Sequence, residues 1–85
     1  MKEFTYCIKD ELGIHARPAG EIVKRAGKFS SKITMESGEK TADIKRIFGI
    51  MGLGVKCGST IKIVADGADE EEAVQELSAY FQENL

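Results

Sequence analysis

Residues 13–19, Gly-Ile-His-Ala-Arg-Pro-Ala, contain the only histidine of the 85-residue chain, His15, and its only proline, Pro18. Proline has a restricted φ and no N–H group, so it fits the first turn of a helix but not its interior. We therefore predict a helix that begins at about Ala16, with His15 at or near its N-cap.

This stretch also has the residue types that can hold a phosphoryl group. The first amides of a helix have no intrahelical acceptor and lie at the positive end of the helix dipole, which favours a neutral His15 imidazole and can receive an anion. Arg17 adds a planar guanidinium that matches phosphate oxygens. His15 as nucleophile, with Arg17 and the Ala16 and Arg17 amides as phosphate ligands, is one interpretation. An ordinary surface histidine beside a solvated arginine is the other.

The composition indicates one globular domain, residues 1–85, with 42% hydrophobic and 31% charged residues. A formal net charge of −2 argues against a nucleic-acid-binding protein, which normally has a basic excess. No apolar run is long enough to span a bilayer, and the first residues lack the apolar core of a signal peptide. We expect a cytoplasmic protein that does not insert into membranes.

The cysteine and histidine pattern predicts no metal site. Cys7 lies in an alternating, strand-like pattern and is expected to be a buried thiol, whereas Cys57 lies in a glycine-rich loop. There is no CxxC pair and no second histidine, so too few ligands exist for zinc.

The hydrophobic pattern predicts seven elements in the order β-α-β-β-α-β-α. Alternation indicates strands over residues 3–8, 32–36, 40–44 and 60–65. Helical spacing indicates a helix from Ala16 that ends with Gly27 in the left-handed conformation, a short helix near residues 47–53, and a third helix that starts with an Asp69–Glu72 capping box. An antiparallel sheet with helices on one face, an α+β fold, is the natural closure for so few strands.

Three segments of the sequence resemble one known family. Residues 13–19 resemble the active-site signature of HPr, the histidine-containing phosphocarrier family of the bacterial sugar phosphotransferase system. Residues 47–58, Ile-Phe-Gly-Ile-Met-Gly-Leu-Gly-Val-Lys-Cys-Gly, resemble its second helix and following loop, and residues 67–70, Gly-Ala-Asp-Glu, resemble the start of its last helix. The resemblance covers essentially the whole chain. It implies an open-faced β-sandwich, a four-stranded antiparallel sheet with three helices on one face.

The resemblance also implies a function. A phosphocarrier of this family is not an enzyme: it would accept a phosphoryl group on Nδ1 of His15 from phospho-enzyme I, which is charged by phosphoenolpyruvate, and pass it to a sugar-specific enzyme IIA. Arg17 and the backbone of Ala16 and Arg17 would stabilise the phosphoryl group. Neither a cofactor nor a metal in this chain is implied, and nothing in the sequence demands more than a monomer.

A partner-binding surface is expected beside His15. Periodicity leaves Phe48 and Met51 as readily in the core as on the surface, and an exposed aromatic ring and thioether would suit the docking of several partners. Lys24 and Lys28 would attract acidic partners, or are simply solvated. The resemblance implies contact with enzyme I and enzyme IIA through Ala16, Arg17, Gly20, Lys24, Ile47, Phe48 and Met51.

Arg46 departs from the family pattern. In regulatory members from low-GC Gram-positive bacteria this position is a serine that a dedicated kinase phosphorylates, so we expect no such regulation here. The alternative function is an HPr-like regulatory binding module that is not engaged in sugar transport. A small hydrolase with His15 as general base is disfavoured, because no residue is placed by sequence to complete the catalytic group.

Overall fold

The computed structural model describes all 85 residues and contains four strands and three helices in the predicted order βαββαβα. The strand ends lie within one residue of the predicted positions. The strands are β1 (Lys2–Cys7), β2 (Lys32–Ser37), β3 (Lys40–Asp43) and β4 (Thr60–Asp66), and the helices are α1 (Ala16–Ala26), α2 (Ile47–Gly52) and α3 (Glu70–Asn84).

The four strands form one antiparallel sheet in the order β1-β4-β2-β3. Ile63 at the centre of β4 lies opposite Phe4 of β1 and Met35 of β2. Helix α3 packs on β1 and β4, α1 lies beside both α2 and α3, and α2 contacts β3. The predicted open-faced sandwich, with its helices on one face of the sheet, is confirmed.

The core lies between the sheet and the helices. Every second side chain of a central strand such as β4 points into it. Phe81 of α3 is fully buried at its centre, with the rings of Phe4, Tyr6 and Tyr80 all edge-on to it at centroid distances of 5.9 to 6.3 Å. Edge-to-face packing suits the quadrupoles of aromatic rings and adds to the free energy of burial. This aromatic cluster packs α3 against β1.

Three backbone hydrogen bonds to two carbonyl oxygens hold the loop between β1 and α1, which carries His15. The amides of Lys9 and Asp10 donate to the carbonyl oxygen of Leu85, at 2.5 and 2.9 Å, and the amide of Ile14 donates to the carbonyl of Val55 at 3.1 Å. Gly13 has a φ of +67°, and a Cβ there would overlap the Val55 carbonyl. A side chain at position 13 is therefore excluded by both backbone conformation and space.

Two predicted helix ends are wrong in detail. Gly27 has a φ of −63° in the right-handed region, and α1 instead ends in a tight turn in which Lys28 and Phe29 donate to the carbonyls of Arg25 and Ala26. Bonds of this i to i−3 type satisfy the last carbonyls without a left-handed residue.

The predicted capping box of α3 is absent as well. Asp69 is the N-cap residue, but its carboxylate makes no bond to the helix and accepts from Ser30 and Ser31 instead. The carboxylate of Glu70 accepts from the Gly67 amide at 3.1 Å. The Asp69 carboxylate oxygens, which the sequence pattern predicts to accept amides of the helix, therefore accept hydrogen bonds from a distant part of the chain instead.

The expectation of a buried Cys7 thiol is also wrong. Cys7 is exposed, because it points to the face of the sheet that no helix covers, while its neighbour Ile8 points into the core. Both Cys7 and Cys57 are free thiols.

Candidate functional site

His15 is the N-cap residue of α1, as predicted. Its φ and ψ of −101° and −172° are extended, and its carbonyl oxygen accepts the Ala19 amide at 3.0 Å, which closes the first turn of the helix. The imidazole makes no capping hydrogen bond and is partly buried. Both ring nitrogens are therefore available for chemistry.

The backbone around His15 provides unpaired donors. Neither the Ala16 amide nor the Arg17 amide donates a hydrogen bond within the protein, and Pro18, which is buried in the first turn, has no N–H. Two N–H groups at the positive end of an eleven-residue helix are thus free to bind anionic oxygen atoms. The exposed Arg17 side chain makes no salt bridge and adds a full positive charge at the same place.

A shallow open cavity adjoins these groups. Its lining comes from three places in the chain: the β1–α1 loop, the start of α1 and the last turns of α3. The lining residues are Asp10, His15, Arg17, Pro18, Tyr80 and Asn84.

Sequence reasoning missed the contributions of Asp10, Tyr80 and Asn84 to this cavity. Tyr80 appears in the sequence only as one member of the apolar stripe of α3, and no local motif indicates that this helix ends beside His15. The Asp10 carboxylate accepts the Leu12 amide at 2.8 Å, so it also forms the turn that leads to His15.

The predicted partner-binding residues of α1 and α2 lie on adjoining helices. A Cβ on Gly20 of α1 would stand 3.9 Å from Cδ1 of Ile47, so the two helices are in close contact there. Phe48 is 84% exposed and Met51 is 41% exposed, which resolves the ambiguity that periodicity left. Two large apolar side chains in solvent one turn apart on α2 are compatible with the predicted binding surface.

The cations of α1 differ in their availability. The Lys28 ammonium lies 2.7 Å from Glu76 of α3, and Arg25 lies 3.1 Å from Glu21 one turn away. Lys24 and Arg17 have no such partner. Lys24 therefore presents a fuller positive charge to solvent than Lys28 does.

Arg46 is the N-cap residue of α2, and its exposed side chain makes no bond to the helix. Position 46 thus has no hydroxyl. None of the three helices is both long enough and apolar enough to span a bilayer.

The fold and the site define a small open-faced sandwich that presents one histidine at a helix N-terminus. The model of a family described as the PTS HPr component phosphorylation site matches residues 2–83. The phosphocarrier protein HPr of Mycoplasma capricolum is 43% identical over 77 residues, which are 91% of this chain and 86% of that protein. The chain belongs to the HPr family, and it is a phosphocarrier of the phosphotransferase system rather than an enzyme.

Two solved structures with this fold are similar to the chain. An HPr from Thermoanaerobacter tengcongensis is 48% identical with a TM-score of 0.92, over 96% of this chain and 92% of that one. The catabolite repression protein Crh of Bacillus subtilis, described as a swapped-domain dimer, is 37% identical with a TM-score of 0.79, over 92% of this chain and 90% of that one. Relatives of this chain thus include a dimer, so our expectation of a monomer stays a prediction.

Proposed function

We propose that His15 accepts a phosphoryl group from phospho-enzyme I and passes it to a sugar-specific enzyme IIA in the cytoplasm. The observation that carries this proposal is the unbonded His15 imidazole, which lies beside the two unpaired amides of Ala16 and Arg17. A histidine that served only as a structural cap would have its side chain hydrogen-bonded to the helix.

In the proposed reaction the neutral His15 imidazole attacks phosphorus through Nδ1. One P–N bond forms on His15 while the P–N bond on the donor histidine of enzyme I breaks, and the electron pair returns to the donor imidazole. The amides and Arg17 stabilise the negative charge on the phosphoryl oxygens, because phosphoryl transfer depends chiefly on positioning and electrostatics. Transfer to enzyme IIA is the same step with the roles exchanged.

Both partners would dock on one surface, formed by the exposed side chains of Phe48 and Met51, by Lys24 and by the α1–α2 contact at Gly20 and Ile47. A flexible thioether and an aromatic ring can repack against different surfaces. Lys24, which is unpaired, would raise the rate of encounter with acidic partners.

The experiment that tests this proposal is incubation with enzyme I, magnesium and phosphoenolpyruvate, followed by intact-mass measurement at neutral and at acidic pH. We expect a single added phosphoryl group that acid removes, as a phosphoramidate bond requires, and no adduct on His15→Ala. An adduct that survives acid, or one that forms on His15→Ala, would assign the acceptor to another residue.

An HPr-like regulatory binding module is the second candidate, and the observation that favours it is the likeness to Crh, which is described as a catabolite repression protein. It predicts the opposite result in the same assay: no adduct with a competent enzyme I, while the Phe48 and Met51 surface still binds a protein partner. Phosphorylation of His15 followed by transfer to an enzyme IIA would rule it out.

A further inference from the structure

Tyr80 is the largest side chain in the cavity beside His15, and its ring has a defined position. It is 8% exposed, packs edge-on to Phe81 at 6.3 Å, and lies under the guanidinium of Arg25, whose Cζ is 4.7 Å from the ring centroid. A cation over an aromatic face and an edge-on neighbour restrict the ring from two sides. Its hydroxyl is therefore held in place without a hydrogen bond.

The Tyr80 hydroxyl has charged side chains nearby but no hydrogen-bond partner in the protein. It is accessible from the cavity that Tyr80 lines. The charged groups that act on it are all on α1: Glu21, Arg25 and Arg17. Arg17 connects it to the proposed phosphoryl position, because Arg17, His15 and Tyr80 line one cavity.

We propose that the Tyr80 hydroxyl donates a hydrogen bond to the phosphoryl group on His15, as a further phosphoryl-binding group beside Arg17. This inference rests on the proposed role of His15 as the phosphoryl acceptor. It makes α3 part of the site, because Tyr80 lines the same cavity as His15 and Arg17.

The ionisation of Tyr80 is compatible with this role. Burial and the nearby Glu21 carboxylate raise the pKa of Tyr80 above its usual value of 10.0, against the opposing effect of Arg25 and Arg17. The group therefore keeps its proton at neutral pH and can act as an O–H donor. Hydrogen bonds to a charged acceptor are shorter and stronger than neutral ones, so a phosphoryl dianion is a favourable acceptor.

The test compares Tyr80→Phe with Tyr6→Phe, since these are the two tyrosines of the chain. Both rings pack edge-on to Phe81, but only Tyr80 lines the His15 cavity. Each protein is phosphorylated with phosphoramidate, whose P–N bond breaks as the bond to His15 forms and ammonia leaves. The 31P chemical shift of the phosphohistidine is then titrated with pH.

A donor to the dianion lowers the pKa of the phosphoryl group, so we expect Tyr80→Phe to move the 31P titration midpoint upward by about one pH unit. Tyr6→Phe should leave the midpoint unchanged. Equal midpoints for the wild type and Tyr80→Phe, or equal shifts for both variants, would overturn the inference. The titration does not use enzyme I, so this result is independent of the assay that tests transfer.

Discussion

The carboxylate of Asp69 connects two distant parts of the chain through three hydrogen bonds. Asp69 accepts hydrogen bonds from the Ser30 amide at 2.8 Å, from the Ser31 amide at 2.9 Å and from the Ser31 hydroxyl. These bonds join the start of α3 to the residues before β2, 38 positions away in sequence. The Ser31 hydroxyl, followed by the Ser30 amide, lowers the pKa of Asp69 from 3.8 to about 2.

At the residue scale we predict that Asp69→Asn lowers the free energy of unfolding at pH 7 and makes stability less dependent on pH in acid. The folded protein favours the ionised carboxylate, so its contribution is complete above the unfolded pKa near 4 and is lost as the pH falls toward 2. Urea denaturation at pH 7, 4 and 2.5 measures this.

The matched control for that experiment is Asp66→Asn. Asp66 is an exposed carboxylate at the end of β4 and makes no side-chain hydrogen bond. Its removal should leave the acid dependence of the wild type in place. If Asp69→Asn and the wild type lose stability in parallel between pH 5 and pH 2, the three bonds do not act as described.

At the scale of elements, all three helices lack a side-chain cap at the N-terminus. The imidazole of His15 is left free, Arg46 has no acceptor to offer, and Asp69 bonds elsewhere. Only for His15 does the missing bond serve the proposed chemistry. Helix α2, with six residues of which two are glycines, depends most on its packing against α1 and β3.

We therefore predict that Arg46→Ser stabilises the protein by about 1 kcal/mol. A serine oxygen at the N-cap would accept one of the unpaired amides in the first turn of α2, which the arginine side chain cannot do. Urea denaturation compares Arg46→Ser with Arg46→Ala as the control, because alanine removes the arginine without adding an acceptor. A serine variant no more stable than the alanine variant would contradict the prediction.

At the scale of the whole molecule, Leu85 connects distant parts of the chain. Its carbonyl oxygen accepts the Lys9 and Asp10 amides of the loop that leads to His15, and its side chain is 4% exposed in the core. The end of α3 thus supports the β1–α1 loop while Tyr80 from the same helix lines the cavity. The position of the histidine depends on contacts between the first strand and the last helix.

We predict that Leu85→Ala costs about 2–4 kcal/mol of stability, because it removes buried methyl groups and leaves a cavity. That is a large share of the stability of a domain of this size. The control is Leu12→Ala, the same change at a residue that is 71% exposed, which should be nearly neutral. Thermal or urea unfolding measures both, and equal losses would show that Leu85 is not part of the core.

The regular parts of the fold could be predicted because their signals are local. Alternation along a strand, apolar spacing along a helix and the position of Pro18 each act over a few residues, and they correctly predict the order of elements, the start of α1 and His15 at its N-cap. Side chains that can serve two purposes were not predictable in this way. The sequence is compatible with an Asp69 carboxylate that caps α3 or one that accepts a tertiary hydrogen bond. It is likewise compatible with Phe48 in the core or on the surface.

The sequence by itself determined the order of the secondary-structure elements and the position of the proposed nucleophile and phosphate ligands, since residues 13–19 hold His15, Arg17 and two unpaired amides at one helix start. Only the tertiary structure decided what surrounds them. Tyr80 and Asn84 are more than sixty residues from His15 in sequence and reach the cavity because α3 packs on the sheet beside α1. A contact between distant segments depends on how whole elements pack, and no periodicity or short motif encodes it.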